Sequence, residues 1–386
     1  MESHRERVAP IVEAKAQLVW RASSSMLRTS YGAPPDRRPH VMVRLVDERG
    51  RVGYGEAAPL PQFTGETADG ILLHLRRRYL PLLIGRTAFE LSAVRMALDA
   101  ALPGNSSARA AIDVAMHDLM GRGAGLGVAD LLGGPVRDSV PCTMPLGVDD
   151  VPATVAAAER AVARGIGTLK MKIGPEPDAD IERVRAVRAA VGDGVAIRID
   201  ANQGYDVPTA MRVVGRLADI GIEYVEQPVA QWDHAGLAEV RRHTGVPIGV
   251  DEGLHTLRDA VRLIELGAAD HFMIKLIKTG GLGPARAIAE LAAAHRIGIV
   301  VVSPFETQVG AAAGLALALA APTATLAHEL RVFDSQADMA DTGIGFRDGR
   351  VHPGADPGLG ITSIVELEGL NWDAKPAPQT ERAGAI

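Results

Sequence analysis

Leu169-Lys-Met-Lys-Ile173 opens a stretch that repeats one plan through Ala196-Ile-Arg-Ile-Asp200, Tyr224-Val-Glu226 and Ile248-Gly-Val-Asp251. Each run is short and mostly apolar, with a polar side chain at or near its end. Amphipathic stretches separate the runs: in Asp178–Val191, the residues Ile181, Val184, Val187 and Val191 share one helical face. Strand, helix, strand at steps of about 25 residues reads as right-handed βαβ units on a parallel sheet. Outward from this stretch the beat begins at Cys142–Leu146 and runs on through Phe272–Leu276, Ile299–Ser303 and Thr325–Leu330. Helices are expected at Pro208–Ile220, Thr256–Leu266 and Pro284–Arg296, with an Ala-rich buried helix at Val309–Ala321. Eight such strands close into a (β/α)8 barrel. An open doubly wound sheet would need a glycine fingerprint after an early strand, and the first strands here carry none.

Upstream the texture changes. Ile11–Val52 reads as strands, with Val41–Val46 closed by a turn at Asp47–Gly50. Within it, Arg21–Pro39 reads as a mobile loop rich in Ser, Pro, Gly and Arg, and Ala108–Gly121 further on has the clearest helical spacing. The expected organisation is an α+β capping domain over residues 1–140, the barrel over 141–345, and a C-terminal segment, 346–386, packing back on the cap. The 386-residue chain is 47% hydrophobic and 23% charged, which excludes general disorder. A net charge of −6 provides no basic footprint for nucleic acid or an anionic membrane. The single cysteine, Cys142, excludes an internal disulfide framework and a Cys-rich zinc site and fits a reducing cytoplasm. No secretory leader pattern opens the chain, and no run approaches the ~20 apolar residues that span a bilayer.

Charged residues sit inside the apolar runs, where burial without a partner is costly. Asp200, Glu226 and Asp251 end three successive strands, 26 and 25 residues apart. Neighbouring parallel strands lie ~4.8 Å apart, so these acids can surround one point. Oxygen donors without His or Cys suit a hard cation, Mg²⁺ first and Mn²⁺ second. Lys170 and Lys172 share one face of their strand by the period of two, and Lys275 is in phase with Met273. The second and sixth strands stand opposite each other in an eight-strand ring, so Lys172 and Lys275 can address two faces of one substrate. Mutual proximity and a cation are expected to lower a lysine pKa toward neutrality and make a general base. Lys278 has the opposite parity and reads as a solvated lysine. Asn202 shares a face with Asp200 and is expected to orient a ligand or Lys170. Glu252 is expected to pair with a lysine, Ser303 and Glu306 end the seventh strand, and His328-Glu329 end the eighth. Of these last two, Glu329 reads as functional and His328 as structural. Gly53–Thr67 reads as a shaped lid, and Arg28, Arg37 and Arg38 are candidates for a distal substrate carboxylate, although most exposed arginines have no such role.

The set Lys170-Met-Lys172, Asp200-Ala-Asn202, Glu226-Gln-Pro228, Asp251-Glu252 and Lys275 in Ile-Lys-Leu-Ile-Lys-Thr-Gly-Gly resembles the enolase superfamily, and within it the muconate lactonizing enzyme subgroup. Ala110–Asp118, Leu131–Gly134 and Pro357–Gly360 are similar to family landmarks outside the site. The resemblance implies a modified barrel capped by an α+β domain built from both termini. It implies Mg²⁺ on Asp200, Glu226 and Asp251, with Lys172 and Lys275 as acid and base and Lys170 stabilising a substrate carboxylate. The implied chemistry is removal of the proton beside a carboxylate through an enediolate, on a small carboxylate substrate, in a homo-oligomer.

Several reactions share that chemistry. Family members that epimerise dipeptides carry Asp-x-Asp at the eighth strand, where this chain has Ala327-His-Glu-Leu330. Glu329 followed by Leu resembles the cycloisomerases, which is the expected reaction, although Arg331-Val-Phe departs from their pattern. The alternatives are racemisation or epimerisation of an N-acyl or N-succinyl amino acid, o-succinylbenzoate synthesis, and dehydration of a carboxylic acid. A barrel that only binds its ligand is the remaining alternative.

Overall fold

The computed structural model describes residues 8–22, 35–174, 176–303, 305–330 and 341–362. Near the N-terminus, β1 (Ile11–Ala22), β2 (Arg37–Asp47) and β3 (Val52–Ala57) form an antiparallel sheet in the order β1-β2-β3. Arg21 and Ala22 pair with Arg38 and Arg37, so both edges of the expected Arg21–Pro39 loop are strand. Backbone pairing continues there because an antiparallel ladder satisfies its own N–H and C=O groups. Arg28 lies outside the described residues.

This sheet packs on a set of helices: α1 (Pro61–Thr64), α2 (Ala68–His74), α3 (Leu91–Ala101) and α4 (Ser106–Ala124). The helix expected at Ala108–Gly121 is thus longer at both ends. β3 lies so close to α4 that a Cβ on Gly55 would stand 1.9 Å from the Ala111 carbonyl oxygen. Ile11, Val41, Val43, Leu45, Ile71, Leu75, Ile112 and Leu119 fill the core between sheet and helices.

After α5 (Val128–Leu131) and β4 (Val140–Pro141) come eight parallel strands. They are β5 (Thr143–Leu146), β6 (Thr168–Lys172), β7 (Ala196–Asp200), β8 (Ile222–Glu226), β9 (Ile248–Val250), β10 (His271–Ile274), β11 (Gly298–Ser303) and β12 (Glu329–Leu330), hydrogen-bonded in chain order. A parallel bridge between Cys142 and His328 joins the first to the last and closes the ring. The connecting helices are α6 (Val151–Ala163), α7 (Pro177–Val191), α8 (Val207–Leu217), α9 (His234–Thr244), α10 (Leu257–Leu266), α11 (Leu276–Thr279), α12 (Leu282–Ala294) and α13 (Gln308–Ala320). Leu169, Met171, Ile173, Ile197 and Ile199 face this layer, while Tyr224, Met273, Val300 and Val302 fill the barrel axis.

Two expected strands are shorter than the apolar runs suggested. β10 stops at Ile274 because α11 follows at once, and β12 is only Glu329–Leu330. β13 (Gly345–Arg347) and β14 (Arg350–His352) pair antiparallel with β4. The chain then lies on α4, where the Leu359 N–H donates to Asp118 Oδ1 at 2.9 Å and Arg122 donates to the Ile361 carbonyl at 2.9 Å. Residues 363–386 of the expected C-terminal segment lie outside the described residues. No helix among the described residues is long and apolar enough to cross a membrane.

Candidate active site

The parallel register brings the polar strand ends together. Lys172 pairs with Asp200, Asp200 with Glu226, and Glu226 with Gly249, two residues before Asp251. All of them lie at the C-terminal rim of the ring, the end where a parallel barrel carries its chemistry. Asp200, Glu226 and Asp251 are 0%, 0% and 1% exposed, so each needs a compensating charge.

Lysines supply that compensation. Lys170 Nζ donates to Glu226 Oε1 at 2.6 Å and to Glu329 Oε1 at 2.7 Å, and lies 3.1 Å from Asp200 Oδ2. Lys172 Nζ donates to Asp200 Oδ2 at 2.5 Å and to Asn202 Oδ1 at 3.0 Å. Across the ring, Lys275 Nζ donates to Asp251 Oδ2 and lies 4.1 Å from the centre of the Phe63 ring. β6 and β10 stand four places apart in the eight-strand order, which puts Lys172 and Lys275 on opposite sides.

Burial alone would raise the Asp200 carboxyl, but Lys170 and Lys172 hold it well below the usual carboxylate range. Lys275 and Lys278 do the same for Asp251. Glu226 goes the other way: burial and then the neighbouring Asp200 push it up. Without a cation beside them, two of the lysines lie high, while burial pushes Lys278 down. Burial pushes Lys170 and Lys275 down, yet the surrounding acids outweigh it and hold both above the ordinary lysine value.

Three residues take roles that depend on the bends after the strands. Lys278 is buried, not solvated, and donates to Asp251 Oδ1 at 2.6 Å. The period of two fails there because the chain has already turned into α11. Asn202 Oδ1 accepts from Lys172, and its amide donates to Glu252 Oε1 at 3.1 Å, giving Glu252 an amide partner. Gln227 follows Glu226 at the end of β8. It is buried at a left-handed φ of 37°, and its Oε1 accepts from the backbone of Asp251 at 3.1 Å and Gly253 at 3.0 Å. A strained residue bracing a strand-end turn is recognisable only once the turn is seen. His328 is structural, as read: its ring accepts from Val301 N–H at 2.9 Å, and burial pushes its pKa down to about 3.

Ser303 is buried at the end of β11, and Glu306 stands half-buried just beyond it. Burial and then the carboxylate of Glu56 push the Glu306 carboxyl up to about 8, while Ser303 and Lys275 pull the other way. From the N-terminal sheet and its helices, Phe63 covers Lys275 and Arg38 stacks over Phe305 at 3.5 Å. Glu66 ties the segment after α1 to the start of α4 by accepting from the N–H groups of Ser107 at 2.8 Å and Ala108 at 3.3 Å.

The three strand-end acids fit a hard divalent cation in chemistry. They are all-oxygen donors on adjacent strands, they repel one another, and Glu226 Oε2 is buried without a hydrogen-bond partner. Among the described residues no group of His, Cys, Asp or Glu is already gathered in metal-ligand geometry. Lysine ammonium groups bond these acids instead.

Comparison with known proteins places this geometry in context. Residues 15–133 match the mandelate racemase/muconate lactonizing enzyme N-terminal domain, and residues 153–366 match the enolase C-terminal domain-like family. A chloromuconate cycloisomerase of Cupriavidus necator is 35% identical over 332 residues, covering 84% of this chain and 89% of the relative. The crystal structure of N-succinyl Arg/Lys racemase from Bacillus cereus superposes with a TM-score of 0.89 at 30% identity, over 93% of this chain and 96% of that one. Dipeptide epimerase from Enterococcus faecalis, crystallised with Mg and the dipeptide L-Leu-L-Tyr, superposes with a TM-score of 0.86 at 31% identity, over 92% of this chain and 100% of that one.

Proposed function

The chain belongs to the mandelate racemase/muconate lactonizing enzyme family of the enolase superfamily, whose relatives here are isomerases, and from that premise we propose that it moves a proton at the carbon beside a substrate carboxylate. The observation that carries the reading is the pair Lys172 and Lys275, on opposite sides of one ring, each aimed by its own strand-end acid. An ammonium–carboxylate contact fixes a long flexible side chain, so either amine can meet a planar carbon from its own side.

Asp200, Glu226 and Asp251 are the residues that would hold Mg²⁺, with Mn²⁺ as second candidate. Bound there, the ion would supply fixed positive charge for the substrate carboxylate. Lys170, locked between Glu226 and Glu329, adds a buried positive charge beside the forming anion. Lys172 and Lys275 take and return the proton at Nζ. Glu306, its carboxyl pushed up to about 8, is assigned a hydrogen bond to the same developing charge. Phe63 and the segment around it exclude water on the Lys275 side.

Among reactions that share this step, we favour cycloisomerisation of an unsaturated dicarboxylate, because Glu329 stands at the eighth strand and pairs with Lys170. Racemisation or epimerisation of an N-acylated amino acid is the second reading, favoured by the two-sided placement of the lysines. The test is incubation of both substrate classes with Mg²⁺ in D₂O, following α-deuteration and product by NMR. Lactone formation supports the first reading, and α-deuteration with loss of optical activity the second. Exchange that survives both Lys172→Ala and Lys275→Ala rejects the acid/base assignment. Bound Mg²⁺ with no turnover or exchange of any acid would indicate a barrel that only binds.

A further inference from the structure

Glu56 lies at the end of β3, in the N-terminal sheet, yet its partners lie mostly on the barrel. It is 3% exposed. Its Oε2 accepts from the Thr307 hydroxyl at 2.6 Å, Thr307 N–H at 3.0 Å and Gly310 N–H at 3.1 Å. Its Oε1 bonds His40 Nδ1 at 2.7 Å. The two N–H groups belong to the open first turn of α13, where a carboxylate is favoured by unpaired donors and by the helix dipole. Glu56 therefore does two things at once. It pins the N-terminus of a barrel helix, and it sets a buried negative charge beside Glu306, the residue just before Thr307.

Three further contacts make the arrangement rigid. A Cβ on Gly310 would stand 2.6 Å from the Glu306 Cβ, so the absence of a side chain there lets Glu306 pack tightly against the helix start. Gly55, next to Glu56, is wedged against Ala111 of α4 and fixes the strand that delivers Glu56. Asp113 of the same helix accepts from Leu282 N–H at 2.8 Å, so the cap grips a second barrel helix beside the first.

We propose that Glu56 is a positioning residue of the site: from the N-terminal sheet it holds the start of α13, aims the loop that carries Glu306, and sets its own buried carboxylate beside that side chain. The cap thus sets the state of an acid in the barrel as well as covering it. This rests on the role given above to Glu306. The charged groups that face Glu306 are Glu56 from β3 and Lys275 from the end of β10, and the neutral Ser303 hydroxyl of β11 also acts on it. His40 stands behind Glu56, and Arg38 lies over the adjoining Phe305 ring.

The experiment reads Glu306 directly and needs no substrate. The carbonyl band of protonated carboxylic acids is followed by infrared difference spectroscopy in the full-length chain as pH rises. The wild type is expected to show a component that ionises near pH 8 and is missing in Glu306→Gln. In Glu56→Gln its midpoint falls by about one pH unit, because a neighbouring negative charge has gone. Glu56→Asp restores most of the shift. In Thr307→Val the carboxylate keeps its charge but loses one neutralising hydroxyl, so the midpoint moves up by a few tenths of a unit. This variant carries the test if Glu56→Gln does not fold. An unchanged midpoint in folded Glu56→Gln, or a fall in Thr307→Val, overturns the proposal and leaves the Glu306 role standing. If Glu306→Gln removes no band component from the wild-type spectrum, Glu306 is already ionised and its role falls as well.

Discussion

Lys172 and Lys275 look equivalent on paper and differ in their surroundings. Lys172 meets Asp200 and Asn202 in a polar corner, whereas Lys275 is sandwiched between Asp251 and the Phe63 ring. Removing either amine is expected to slow proton exchange on its own side on the order of a thousandfold, with the opposite side less affected, as read by stereospecific deuterium incorporation. Glu306 makes a separate prediction. Its folded pKa, about 8, is above the unfolded carboxyl value, so its contribution to stability is complete below about pH 4.5 and is lost as pH rises through 8. Glu306→Gln cannot ionise. Its melting temperature should therefore gain on the wild type as pH rises from about 5 to about 8, as followed by calorimetry. A constant difference across that range would mean that Glu306 does not hold its proton in the folded chain.

At the scale of elements, β3 against α4 and the acids at helix starts carry the assembly of cap and barrel. Gly55→Ala would drive a methyl group into the Ala111 carbonyl, and neither backbone can yield cheaply. A loss of about 3 kcal/mol or more is expected in urea denaturation. Asp113 offers a milder probe. Burial alone would raise its carboxyl, but His117 and the α12 backbone hold it low, while Asp113 in turn overrides burial and holds His117 above its ordinary value. The Asp113 contribution is therefore complete above about pH 4 and lost as acid protonates it. The His117 contribution is complete below about pH 6.5 and lost as pH rises through its folded value. Asp113→Asn should cost most stability between these limits and less on either side.

At the scale of the molecule, the ring brings Asp200, Glu226 and Asp251 together with four lysines, Lys170, Lys172, Lys275 and Lys278, and the state of each of these three acids depends on its charged neighbours. A divalent cation that binds the folded chain alone stabilises it by mass action, by about 2.7 kcal/mol at a hundredfold excess over its dissociation constant. Mg²⁺ should raise the melting temperature of the wild type and leave Asp200→Asn or Asp251→Asn nearly unmoved. An equal shift in all three proteins would place the ion elsewhere.

The repeat of apolar runs and amphipathic helices defines the barrel, and the acids and lysines at its strand ends meet at one rim of the ring. The reason is local: a buried strand must be apolar, so each charge inside one announces a partner. Lys278, Asn202 and Gln227 find their partners where the chain bends after a strand, and periodicity ends at the bend. Glu56 was invisible for a stronger reason. Its partners Thr307 and Gly310 lie about 250 positions away, and nothing within β3 marks a residue whose charge is answered by another part of the fold. Tertiary structure alone decides which charges share a dielectric, because that depends on distance through space and not along the chain.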